Sequence, residues 1–541
     1  MVRTHPHLSR LRTQKRDETS YDLAVTARPL QRFLRALPAA VPVMLVAACG
    51  ETGGVSTREA SPIDASKPPV TGDSTAATPP EDDPLSSYDF EIEWSSQEEG
   101  TETGTLEVPV DYDDPEGPSF RLHVVRHLAA DQDQKIGSLL VNPGGPGFGG
   151  SDYALFAESV YGEPLLRRFD IVGWDPRGTG LSEPAIDCID EYDRFFAEPD
   201  ITPETDDERQ VRVDLAEDFA KSCVEENDGY YEHVGTNNSA HDMEALRLAL
   251  GEEQISYFGF SYGSELGATW ATLFPESVRA AVFDGAADPT ADLDEGGLQQ
   301  LAGFEASLSS FLADCSKRTA CPFHNDGNAE GAYDELLRQL DDEPIPTRAD
   351  RPDANHGVAI QATITALYSA SLWPQLAQAL ADAQDGDGAG LIDLFDSYFQ
   401  RSPDGTWGDE LEAFQTIVCM DSADRKSVEE EDAQAPEYQA VAPRLAPGDA
   451  GDYFCTFFPQ STDPRVEITG QDAGPTLVIG TTGDPATPLS STEVMAESLE
   501  EGVLLVVDAD EHTGYSASEC AKDVVHRYLI DLKVPDEGTE C

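Results

Sequence analysis

Apolar residues come in short runs from about residue 104 onward, and the runs alternate with segments whose apolar positions recur every three to four residues. A continuous apolar run of strand length suits a strand covered on both faces, whereas the longer period marks a helix with one buried stripe. On this pattern strands are predicted at LEVPV (106–110), FRLHVVRHL (120–128), GSLLVN (137–142), FDIVGWD (169–175), ISYFGF (255–260), VRAAVFDG (278–285), TLVIGT (476–481) and GVLLVVDAD (502–510). The strand pattern stops after Gly285 and resumes only near Thr476. The interval reads as helical, in GLQQLAGFEASLSSFLADC, GAYDELLRQL, LWPQLAQALADA and LIDLFDSYF, broken by Gly- and Pro-rich joints. The alternation predicts an α/β architecture: a mostly parallel eight-stranded sheet wrapped by helices, with a helical cap over 290–405 inserted between the sixth and seventh strands. Residues 88–289 form the first part of that core and 406–541 complete it. Such a cap covers the edge at which open α/β sheets bind ligands. No internal repeat is present.

The first 48 residues depart from this pattern. They carry eight Lys and Arg against three Asp and Glu and end in ALPAAVPVMLVAA before Cys49. That is the layout of a secretory leader, and its apolar stretch is too short to span a bilayer as a helix. Val46-Ala47-Ala48-Cys49 resembles a bacterial lipobox, in which the cysteine becomes the lipidated first residue; the bland alternative is an incidental thiol beside an ordinary cleavage site. Residues 49–87 are rich in Pro, Ser, Thr and Asp with almost no large apolar groups, so they read as a disordered spacer.

The net charge of -68, from 103 acidic against 35 basic residues, argues against nucleic acid and anionic lipid as partners. Any membrane contact is expected through the lipid anchor alone, and the chain is expected to be a monomer. Eight cysteines remain beyond Cys49, an even number in an exported chain with no CxxC pair, which points to disulfides rather than metal binding. Sequence neighbours suggest Cys188 with Cys223, Cys315 with Cys321, Cys419 with Cys455, and Cys520 with Cys541.

GFSYG at 259–263 carries the chemistry. A serine between two glycines, with the strand ISYFGF before it and the helical SELGATWATLF after it, matches the nucleophile elbow G-x-S-x-G of the α/β-hydrolase plan. The sharp strand-to-helix turn strains the serine backbone, and the glycines let strand and helix approach. Ser261 is thus the candidate nucleophile. The loop NPGGPGFGGSDY after the strand GSLLVN offers backbone donors for an oxyanion, with Gly145 N–H and Tyr262 N–H assigned and Gly144 as fallback. The plan's order of serine, acid, histidine leaves His512 and His526 for the base. His526 sits in the helical AKDVVHRYLIDL, whereas His512 lies in the loop DADEHTGY after a strand, which favours His512. Asp484 in GTTGDPATP follows TLVIG and is the candidate acid, with Asp508, Asp510 and Asp421 as competitors.

With these residues placed, the chain resembles the secreted bacterial tripeptidyl aminopeptidases, relatives of the proline iminopeptidases within the α/β-hydrolase superfamily. The resemblance lies in LEVPVDYDDPEG, VNPGGPGFGGSDY, FDIVGWDPRGTGLSEP, HDMEALRLALG, ISYFGFSYGSELGATWATLFPESVRAAVFDGAADP, FQTIVCMDS, and TLVIGTTGDPATP with DEHTGY, over most of 104–520. It implies a serine exopeptidase that removes short peptides or single residues from free amino termini, without metal or organic cofactor. The substrate's ammonium needs a carboxylate, for which Asp284, Glu265 and Asp421 are candidates. SYGSE departs from the SYGTY-like strings usual in the family, which puts the pocket wall in doubt. Asp175 and Arg177 in GWDPRGTG read as loop-fixing. Two alternatives stand beside the peptidase: an esterase or amidase using the same machinery, and a non-catalytic binding lipoprotein, which would have a damaged triad.

Overall fold

The strands, in chain order, are β1 (Thr57–Glu59), β2 (Ile92–Glu98), β3 (Thr101–Pro109), β4 (Ser119–His127), β5 (Gly137–Asn142), β6 (Phe169–Trp174), β7 (Ile255–Phe260), β8 (Val278–Asp284), β9 (Thr476–Thr481), β10 (Gly502–Val507) and β11 (Lys533–Pro535). The computed structural model describes residues 57–59, 85, 88–98, 100–114, 116–448 and 450–541. The predicted leader 1–48, Cys49 and most of the spacer 49–87 lie outside the described residues. Within that spacer, β1 pairs antiparallel with β11.

Nine strands form the main sheet in the order β10-β9-β8-β7-β5-β6-β4-β3-β2. The six from β10 to β6 run parallel, and β4, β3 and β2 add antiparallel pairs. The count corrects the expected eight: β2 went unpredicted because IEWSSQE has no apolar run. As an edge strand it has one neighbour, so the hydrophobic signal of a doubly covered strand is not required of it. The central strands are largely buried, with β6, β7 and β9 buried at every position. Their side chains alternate between two cores. Ile255 and Tyr257 join one face, while Phe258 and Phe260 join the other with Leu477 and Ile479 of β9.

Helices fill the interval between β8 and β9: Leu293–Lys317, Ala329–Asp342, His356–Leu367, Trp373–Gln384, Ala389–Tyr398, Glu410–Asp421 and Val428–Val441. The helical stretch therefore runs well past residue 405. Local chemistry starts several of them. Asp292 accepts the N–H groups of Asp294 and Glu295, Asn355 accepts that of Val358, and Ser427 with Glu430 forms a reciprocal capping box. Disulfides join Cys188 to Cys223, Cys315 to Cys321, Cys419 to Cys455, and Cys520 to Cys541. Among the described residues no helix is long and apolar enough to cross a membrane.

The GWDPRGTG turn after β6 is a buried structural knot. Arg177 is fully buried and donates from Nε and Nη2 to the two oxygens of Asp242 at 2.8 and 2.6 Å, and from Nη1 to the carbonyls of Val110 and His233. Asp175 accepts the N–H groups of Ser151 and Leu181, each at 2.9 Å, which ties the loop after β5 to the loop after β6. That fixes the floor on which the site is built.

Candidate active site

Ser261 stands between the end of β7 and the helix Tyr262–Leu273, with φ 54° and ψ -128°. A side-chain-bearing residue at positive φ costs on the order of 1–3 kcal/mol, and such strain persists only where packing enforces it. The enforcement is visible in the flanking glycines, since a Cβ on Gly259 would stand 2.2 Å from the Gly263 carbonyl oxygen. Ser261 N–H donates to the Asp284 carbonyl at 2.8 Å, which anchors the turn to β8.

The other two residues meet on the loops after β9 and β10. His512 Nδ1 lies 2.9 Å from Asp484 Oδ1. The Asp484 side chain is wholly buried, and the same oxygen accepts the N–H groups of Ala486 and Thr487 at 2.9 and 2.8 Å. Thr487 Oγ1 donates to Asp484 Oδ2 at 2.9 Å. Nδ1–H donates to Asp484 in this pair, so Nε2 carries the free lone pair. His512 Nε2 is buried without a hydrogen-bond partner. Burial alone lowers the imidazole pKa, but the charge and hydrogen bond of Asp484 outweigh it, and the pKa is raised above its ordinary value. An imidazole held in this way can take a proton from a hydroxyl and stay charged while it holds it.

The cap reaches this base directly. His512 N–H donates to the Tyr368 carbonyl at 3.1 Å, and the Tyr368 ring meets the imidazole edge-on at 5.5 Å between centroids. Neither Tyr368 nor Thr487 was found from the sequence. Thr487 had a usable signal, a hydroxyl three residues after an aspartate in a turn; Tyr368, on a remote helix end, had none.

The competitors fall away on geometry. Asp508 and Asp510 are exposed, and His526 Nε2 is taken by the Tyr515 hydroxyl at 2.9 Å. On the oxyanion side, among the described residues no acceptor takes the N–H of Gly145 or of Tyr262. The N–H of the fallback, Gly144, donates to Asn142 Oδ1 at 2.9 Å.

Of the three carboxyls considered for a substrate amine, Asp284 is unsuited. It is fully buried, and its two oxygens accept the N–H groups of Gly514 and Tyr515, each at 2.8 Å. Asp421 and Glu265 lie together beside Tyr262. Asp421 accepts from Thr236 N and Oγ1 at 2.6 and 2.5 Å, and the Tyr262 hydroxyl bonds to the same Thr236 Oγ1. Glu265 forms an ion pair with Arg465. Burial, with Glu265 adding to it, pushes the Asp421 carboxyl up to about 7.

The alpha/beta hydrolase fold family matches residues 137–515, well over half of the chain. The chain belongs to the α/β-hydrolase family. This hydrolase is 36% identical to the serine protease Hip1 of Mycobacterium tuberculosis, over 82% of this chain and 87% of that protein. It is 34% identical to the carboxylesterase B of the same organism, over 81% and 85% respectively. Against the tripeptidyl aminopeptidase of Streptomyces lividans it is 28% identical over 81% of this chain and 83% of the other. It is a serine hydrolase with peptidase and esterase relatives.

Several acids of this hydrolase keep their protons to higher pH than an exposed carboxyl does. Burial pushes Asp284, Asp421 and Glu412 up to about 7, the last while it accepts the N–H of Cys188 and of Ile189. A carboxyl whose pKa is raised on folding binds more protons in the folded state between its unfolded and folded pKa values, so its contribution to stability falls as pH rises through that window. The raised His512 acts in the same direction, and the lowered His356 and His526 oppose it only where their unfolded forms protonate, below about 6.5. Lowering the pH from about 8 to about 6 is expected to raise Tm by about 2–4 °C, and Glu412→Gln to flatten that slope. Differential scanning calorimetry across this range checks it; a Tm that falls on acidification would contradict the assignment.

Proposed function

We propose that this chain is a serine exopeptidase that releases short peptides or single residues from free peptide amino termini through an acyl-enzyme. Ser261 Oγ attacks the scissile carbonyl as His512 Nε2 takes its proton, and Asp484 stabilises the imidazolium. The N–H groups of Gly145 and Tyr262 receive the oxyanion. His512 then returns the proton to the leaving amine, and water hydrolyses the ester at Ser261 by the same route. The observation that carries this reading is the buried His512–Asp484 pair with Nε2 left without a partner. A non-catalytic role would not maintain it.

The peptide preference is supported by the serine protease and tripeptidyl aminopeptidase relatives. The substrate ammonium is best matched by Glu265 and Asp421, two carboxyls beside the oxyanion donor Tyr262, of which Glu265 pairs with Arg465. The carboxylesterase relative favours a second reading, in which the same machinery cleaves esters. Four disulfides and the relationship to Hip1 support an exported, envelope-associated chain; lipidation at Cys49 rests on the lipobox-like Val46-Ala47-Ala48-Cys49 alone.

Acetylation of the amino terminus of an unblocked tripeptidyl amide is expected to lower kcat/KM on the order of 10²-fold, because a buried carboxylate loses its charged partner. A chain that cleaves blocked and free peptides alike, or that turns over only p-nitrophenyl esters, is not an aminopeptidase.

A further inference from the structure

We infer that Asp284 is a positioning residue that holds the base in register with the nucleophile, its main chain gripping one and its side chain the other. This rests on the reading of Ser261 as nucleophile and His512 as base. Asp284 is the last residue of β8 and pairs across the sheet with Phe260, the residue before the serine. Its carbonyl accepts Ser261 N–H at 2.8 Å and lies 3.4 Å from Ser264 Oγ, so it fixes the strained turn. Its carboxylate takes the N–H of Gly514 on one oxygen and of Tyr515 on the other, each at 2.8 Å. Those are the first two residues of the short helix Gly514–Ala517, which begins two residues beyond His512.

The next residue completes the contact. Gly285 has φ +72°, and a Cβ there would stand 2.7 Å from the His512 carbonyl oxygen and 3.3 Å from its Cε1. Residues 284 and 285 therefore bond to Ser261 and stand close against His512, while Asp484 orients the imidazole through Nδ1. No other side chain described here bonds to the His512 loop while its own backbone bonds to Ser261.

Two consecutive N–H groups, each with its own acceptor oxygen, need a carboxyl group. Asparagine offers one oxygen, and its NH2 group would face the second N–H as donor against donor. The ionisable groups that face Asp284 are His512, Asp484 and the Tyr515 phenol. Burial pushes Asp284 up to about 7, the two N–H groups and His512 pull against that, and Asp484 adds to it. In return, negative charge on Asp284 favours the imidazolium form of His512.

The test compares wild type, Asp284→Asn, Asp284→Glu and Glu412→Gln as full chains. The readouts are kcat, KM and the pH profile of kcat/KM on an unblocked tripeptidyl amide, with the rate of labelling by a fluorophosphonate. Glu412 is the control: a buried carboxyl that also holds a loop through two backbone N–H groups, in contact with neither Ser261 nor His512. Asp284→Asn is expected to lower kcat and labelling about 10- to 100-fold with KM nearly unchanged. Its acid limb should move down by about half a pH unit, because an anion near His512 is gone. Glu412→Gln should leave the limb in place. Asp284→Glu keeps the charge but lengthens the arm, so its limb should stay and its kcat should fall about 10-fold; this variant decides the matter if the asparagine form does not fold. Wild-type kcat in Asp284→Glu overturns the inference, as does an unmoved limb in a folded Asp284→Asn. Equal labelling of wild type and Ser261→Ala instead rejects the underlying reading.

Discussion

Ser261→Ala is expected to lower kcat on the order of 10⁵- to 10⁶-fold on any substrate the wild type turns over, and to end covalent labelling by a fluorophosphonate. The size of the effect follows from where the oxygen stands. The sharp turn after β7 holds one hydroxyl at the start of a helix whose first N–H, that of Tyr262, meets no acceptor among the described residues and can face developing negative charge. No neighbour replaces it: Ser264 is buried and lies within hydrogen-bonding reach of the carbonyls of Gly259 and Asp284. Folding should survive, because alanine keeps the Cβ and the N–H that bonds to Asp284. Intact-protein mass spectrometry after labelling, with single-turnover kinetics, reads the outcome. Residual activity within tenfold of wild type would mean that the chemistry runs elsewhere.

Asp484→Asn should cost on the order of 10⁴-fold in kcat with little change in KM. The carboxylate accepts from Ala486 N, Thr487 N and His512 Nδ1 on one oxygen and from Thr487 Oγ1 on the other. An amide can keep its oxygen toward the ring and turn its NH2 group to the Thr487 hydroxyl, so the loss comes from the missing negative charge that stabilises the imidazolium formed when Nε2 takes the serine proton. Asp508→Asn and Asp510→Asn, at exposed positions, should each stay within about threefold of wild type. A comparable loss in either of them would transfer the role of acid away from 484.

Much of this site was legible in the chain because its parts are local. GFSYG announces itself: glycines two residues either side of a serine, between a strand and a helix, leave few other uses for the pattern. His512 and Asp484 were found as polar residues directly after apolar runs, since a parallel sheet delivers the loops after its strands to one edge. Asp284, Glu265 and Asp421 were harder. All three are acids near the right segments, and only contact geometry separates a buried carboxyl bound to Gly514 and Tyr515 from one joined to Thr236 and one paired with Arg465.

What the sequence by itself determined, then, is the α/β succession from β3 onward and the elbow pattern, and it named the candidate nucleophile, base and acid, because each reading depends on residues within a few positions of one another. The tertiary structure alone decided that β2 closes an edge, that Gly144 N–H is turned to Asn142, that Tyr368 lies against the imidazole, and which of several acids faces it. The first two are contacts between near neighbours in the chain that carry no apolar pattern, and the last two depend on which segments burial brings together, across more than a hundred residues in the case of Tyr368. The charge on a side chain is written in its letter, but its partner and its freedom to ionise are set by packing.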